Sequence, residues 1–192
     1  MSLHLPELLR GLAEIFARPG AFPKTTLEAA TGSFWVLEPL KSNLENLLAS
    51  ETLDLAVAYT DHFLVSRVHP VLHLEASVHR TGLLRDPALL HDLDHHYEAF
   101  GFDVPDGLSP DHLATELEAL AMGLQRLGNA NEEGLPKIVS NLLGLVDLHL
   151  LPLLAELNTL ASGRPIHPAY SAALASASSC VELVRGGIFA FT

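Results

Sequence analysis

Asp111 and His112 stand side by side in LSPDHLATELEALAMGL (108–124), where an amphipathic pattern begins. An adjacent carboxylate and imidazole can do acid–base work, ligate a metal or meet a cationic ligand. It can equally start a helix. The chain has 11 histidines. His69 with His73, and His91 with His95, are four apart, which puts each pair on one face of a helix.

His91-Asp92 is an HD dipeptide. Helical phosphohydrolases of the HD type hold metal through a His, an HD pair and a later Asp. That reading would draw on His62, His91, Asp92 and Asp147. A solvated face explains His91, Asp92, Asp94, His95, His96 and Glu98 equally well. No HExxH and no paired Glu-x-x-His is present, and neither are GxSxG, GxxxxGK[ST] or GxGxxG. The expectation is therefore no catalytic residue, no bound metal and no cofactor, which favours a binding protein.

These side chains need helices to position them. Leu8, Leu9, Leu12, Ile15 and Phe16 form one face of a predicted helix over Pro6–Ala17. A second helical region, Thr25–Ala49, is interrupted at Gly32 and Pro39, and Thr52–Val65 follows. SRVHPVLHLEASVHRTGLL lacks clean periodicity and is predicted to be ordered loop with short turns. Asp86-Pro87 and Ser109-Pro110 each read as a cap followed by a first-turn proline. After the second, Leu113, Leu117, Leu120, Leu124 and Leu127 make one apolar stripe. Pro136–Leu148 is helical, and Pro152 is placed in the first turn of a separate helix ending near Ala161. Pro168 opens the last helix, which Gly186-Gly187 should stop near Arg185, leaving IFAFT as a tail. The predicted fold is an all-α, single-domain helical bundle of about eight helices spanning 1–192.

The 192 residues carry a net charge of −12, which disfavours nucleic acid and favours a basic partner. The one cysteine, Cys180, sits in an apolar run and suits a reducing compartment. The N-terminus lacks a signal-peptide pattern, and no stretch of about 20 apolar residues is apparent, so no stable membrane insertion is expected.

Several local patterns then join in order. SPDHLATELEAL resembles the P-x-D-H-L segment and acidic, Leu-rich helix of the TorD/DmsD/NarJ-type redox-enzyme maturation chaperones, the TorD/DmsD branch above all. YTDHFL (59–64) resembles that family's Tyr-x-x-Leu-Phe helix end, and ASVHRTGLL (76–84) its Ser-Val-Tyr stretch. HLLPLLAEL (149–157) is similar to His-Leu-x-Pro-Trp, and HPAYSAAL (167–174) to His-Pro-x-Tyr. The chain departs from the pattern at His62 for Leu, His79 for Tyr and Leu153 for Trp.

The resemblance implies a cytoplasmic chaperone, not an enzyme, either monomer or homodimer. It would bind the N-terminal leader, often of twin-arginine type, and the apoprotein of a molybdopterin oxidoreductase of the DMSO-reductase superfamily. It would assist cofactor insertion and delay export, with molybdenum-cofactor delivery proteins as further partners. Asp111 and His112 are the first candidates for leader contact, with Tyr59, Phe63, Glu75, Ser77 and His79 in the same groove. Tyr59 and Phe63 also suit a core role. Glu116 and Glu118 could add acidic lining, although a solvated face suits them better. His149, Pro152, His167 and Tyr170 suit helix starts and packing. The alternatives are the metal phosphohydrolase and a non-catalytic all-α interaction domain.

Overall fold

The computed structural model describes residues 5–33, 38–50, 55–64 and 72–189. Ten α-helical segments are formed among them, with no strand: α1 Leu5–Ala17, α2 Lys24–Thr31, α3 Leu40–Leu48, α4 Leu55–Tyr59, α5 Ala76–Thr81, α6 Pro87–Phe100, α7 Leu113–Gly128, α8 Leu135–Gly144, α9 Leu151–Ser162 and α10 Pro168–Phe189. A π-turn over Thr60–Leu64 extends α4, and another over Leu145–Leu150 joins α8 to α9. Counting α8–α9 as one rod leaves nine helices among the described residues, close to the expected eight.

α7 is the central element. It packs most extensively on α1, with α6 and α8 on other sides, while α10 pairs with α3 and α9. The α1 stripe explains this: Leu8, Leu9, Leu12 and Phe16 have no exposed surface and seal one flank of α7. Burying a leucine stabilises by roughly 1.5–3 kcal/mol, so that face outweighs the helix's local propensities.

Local signals place some ends and miss others. Asp86 caps α6 as its sequence predicts, accepting from the Ala88 N–H at 3.0 Å, with Pro87 in the first turn. Gly101 closes α6 at φ 62°, a left-handed conformation in which a side chain would be strained. At α7 the predicted Ser109-Pro110 start is not used. The cap is His112, whose Nδ1 accepts from the Ala114 N–H at 3.1 Å. The polar groups at 109–110 have tertiary partners instead: Thr115 Oγ1 donates to the Ser109 carbonyl, and the Tyr97 hydroxyl to that of Pro110.

Four further expectations are corrected. α5 is a short helix where loop was predicted, with residues 65–71 outside the described set. Pro152 does not begin a separate helix, because Leu135–Ser162 runs for 28 residues without a break. Proline lacks an N–H and crowds the carbonyl four residues back, and the π-turn immediately before it accommodates the misfit. That rod is long and apolar enough to cross a membrane by length and composition, which the expected break had hidden. Half of its most apolar window is buried within the bundle. Gly186-Gly187 does not stop α10 at Arg185, since the helix continues to Phe189 and Ile188 is buried. That anchor offsets the roughly 1 kcal/mol that each helical glycine costs. Residues 190–192 of the predicted tail lie outside the described set.

Candidate functional site

α5 is too short to hold itself, and Asp111 supplies its anchor. One Asp111 carboxylate oxygen accepts from the Ser77 N–H at 2.9 Å, and the other accepts from the Ser109 hydroxyl. The Asp111 carbonyl accepts from the Ala76 N–H, and the Leu74 carbonyl from the Leu113 N–H. Glu75 and His112 thereby form an isolated antiparallel bridge. The Ser77 hydroxyl accepts from the Asp86 N–H at 2.9 Å, tying in the start of α6. Two sequence-distant helix starts are thus fastened by one aspartate.

Burial separates the expected contact residues into two groups. Asp111 and Ser77 have no exposed surface. Glu75 and His79 reach the surface partly. His112 is buried, and burial lowers its pKa, opposed by the nearby Glu75 and Asp111 carboxylates. His79 Nε2 lies 2.6 Å from the His73 carbonyl, and Glu75 pairs with His73 at 3.9 Å.

Tyr59 and Phe63 lie in an aromatic cluster with Phe16 and Tyr170. Phe63 packs edge-on against Tyr59 at 5.1 Å and Tyr170 at 4.9 Å, and both Tyr59 and Phe63 are buried. The Tyr59 hydroxyl donates to the Phe16 carbonyl at 2.7 Å. Burial, with Glu75 adding to it, pushes the Tyr59 phenol up to about 12. The α10 start matches its predicted role: His167 Nδ1 accepts from the Ala169 N–H.

Sequence periodicity misplaced Glu116. It is fully buried, with neither carboxyl oxygen partnered among the described residues. Burial, then Asp111, holds its pKa well above the ordinary 4.5. Glu118 is half-buried, and burial raises its pKa against the pull of Arg10 and Arg18.

Beside α5 opens a cleft of about 380 Å³, lined by His79, Arg80, Leu148, Pro152, Leu153 and Glu156 among others. Leu148 is 58% exposed. Leu83 and Leu84, in the turn after α5, are 56% and 73% exposed. This apolar surface was missed because SRVHPVLHLEASVHRTGLL shows no periodic face.

The HD set is not assembled. His91 is exposed, His62 Nε2 accepts from the His167 N–H, and Asp147 pairs with Arg185 at 2.7 Å. Asp92 bonds instead to His149, in the π-turn, at 2.9 Å. The usable signal was the four-residue step from Asp92 to His96 on one helical face, rather than the adjacent His91.

No curated protein and no solved structure matches the chain. The family model for the nitrate reductase delta subunit matches residues 28–158, more than half of the 192. That span takes in α5, the Asp111–His112 junction and most of the α8–α9 rod. The chain belongs to the nitrate reductase delta subunit family, the NarJ/TorD-type chaperones of molybdoenzyme maturation.

Proposed function

We propose that the chain binds the N-terminal leader and apoprotein of a molybdopterin oxidoreductase of the DMSO-reductase superfamily, in the cytoplasm, and holds them until the cofactor is inserted and export can follow. The five ordered motifs support a place near the TorD/DmsD branch. The observation that carries the reading is the α5–α7 junction itself: a partly exposed acid, Glu75, bridged to His112 beside an apolar cleft. A twin-arginine leader has a basic head and an apolar body. Glu75 suits the head, while the cleft and Leu83, Leu84 and Leu148 suit the body. Asp111 serves at one remove, by holding Glu75 and His112 in place, with Ser77 as its fastening point. Tyr59 and Phe63, buried in the aromatic cluster, contribute packing.

The test titrates a twin-arginine leader peptide of a molybdopterin oxidoreductase, together with its Lys-Lys variant. Saturable binding is expected. It should weaken with salt, with Glu75→Gln and with Lys-Lys, because the guanidinium's bidentate pairing is lost. Absence of saturable binding to either peptide would return the chain to a general all-α interaction domain.

A further inference from the structure

Outside the α5–α7 junction, α6 and the π-turn bring Asp92, His96 and His149 together. Asp92 and His96 are four apart on α6, and one ligand atom from each of the three residues lies within 4.8 Å of the others. His149 Nε2 already meets Asp92 Oδ2 at 2.9 Å. The His96 and His149 rings stand edge to face at 5.6 Å. His96 is 7% exposed and His149 2%.

The tautomer of His96 follows from its neighbour. Asn141 Nδ2 donates to the Lys137 carbonyl, so the Asn141 oxygen is the atom that faces His96 Nδ1, 3.0 Å away. Nδ1 must therefore carry the proton. His96 Nε2 is left with a lone pair, buried and without a partner among the described residues. Leaving such an acceptor unsatisfied costs about 1–3 kcal/mol. Gly144 lets the ring lie there, since a Cβ at that position would come within 2.5 Å of His96 Cε1.

We propose that Asp92, His96 and His149 form a binding site for a divalent transition-metal ion. Two imidazoles and a carboxylate are the donor set that zinc and its neighbours take, and water completes the shell. Asn141 is the outer partner that fixes the His96 ring. The ion takes the His149 Nε2 lone pair in place of the hydrogen bond to Asp92, with the ring proton moving to Nδ1. The Asp92 side chain is 50% exposed, which leaves the ion a route in from solvent. The site would pin α6 to the rod at its π-turn, and π-turns are frequent at functional positions. His149 also lines the cleft of about 380 Å³, and the proposal departs from the expectation of no bound metal.

The test is a titration of chelator-stripped full-length chain with Zn²⁺ alone and Co²⁺ alone. It is followed by calorimetry and, for Co²⁺, by visible absorption. One ion per chain is expected, with a Kd in the micromolar range or below. Asp92→Asn touches a half-exposed group, so it should keep the helical circular dichroism while weakening binding at least about tenfold. Asn141→Leu should weaken binding by about 10–100-fold, and His91→Ala should change nothing. The proposal is overturned by no saturable binding, or by binding that Asp92→Asn and His96→Gln leave intact.

Discussion

Glu116→Gln should make the chain progressively more stable than the parent as pH rises. Glu116 is fully buried, and burial with Asp111 beside it holds its pKa well above the ordinary 4.5. Above pH 4.5 the unfolded chain releases this proton and the native chain keeps it. Stability from this group is therefore complete below 4.5 and is lost as pH rises towards the native pKa. One proton of difference changes the unfolding free energy by about 1.4 kcal/mol per pH unit. Glutamine has nearly the same shape and does not titrate, so the variant lacks that slope. Its amide adds an unpaired donor at a cost of about 1–3 kcal/mol, but that offset does not vary with pH. The diagnostic is the difference between the two proteins, which should grow above pH 4.5 by up to about 1.4 kcal/mol per unit until the native group titrates. For a chain of this length each such unit is a relative melting shift of up to about 3–6 °C. Urea unfolding of both proteins at half-unit steps from pH 4.5 to 8 measures it. A difference that stays flat across the range would refute the reasoning, because Glu116 would then titrate alike in both states.

Asp111→Ala leaves the buried Ser77 N–H and the Ser109 hydroxyl without their acceptor, and should cost about 2–4 kcal/mol in urea unfolding. Asp86→Ala removes the α6 cap and should cost about 1 kcal/mol in the same assay. Burial lowers the pKa values of His112 and His149, so the unfolded chain takes up protons first as pH falls. Their contribution is whole above about pH 6.5 and declines below it, by up to about 1.4 kcal/mol per unit for each. Denaturation curves between pH 7 and 5 should show this acid limb, and His112→Asn, which keeps a capping side chain, should make it shallower.

Much of the fold was legible because its signals are local. Asp86-Pro87 marks the start of α6 within three residues, and the α1 stripe names its own buried face. What was misread depends on partners far along the chain. Ser109-Pro110 resembles the Asp86 signal, but Tyr97 and Thr115 claim its carbonyls, and the cap moves to His112. Glu116 looks solvated by periodicity, yet α7 is enclosed by α1, α6 and α8, so its first turns have no wet face. The junction was found as a motif, while its wiring was not. An Asp next to a His suggests two groups facing a ligand, whereas here Asp111 faces inward onto α5. The Asp92–His149 pair joins positions 57 apart, a separation no local pattern can reveal.

Two of the three departures from the family pattern meet in the structure. His79, in place of the family's Tyr, and Leu153, in place of its Trp, both line the cleft of about 380 Å³. Each substitution puts a smaller side chain at the cleft, one on α5 and the other on α9. Leu153 is 3% exposed, and enlarging a side chain in a closed core costs about 1–3 kcal/mol. Leu153→Trp distinguishes the two situations. If the indole enters the cleft, urea unfolding should show a loss below about 1 kcal/mol, and the tryptophan emission should be blue-shifted relative to free indole in water. The same variant should alter affinity for the apolar body of a leader while leaving the Arg-against-Lys preference at Glu75 unchanged, because the two features sit on different parts of the surface. A loss of about 3 kcal/mol would mean that Leu153 is packed on every side, and that the cleft owes its volume to His79 alone.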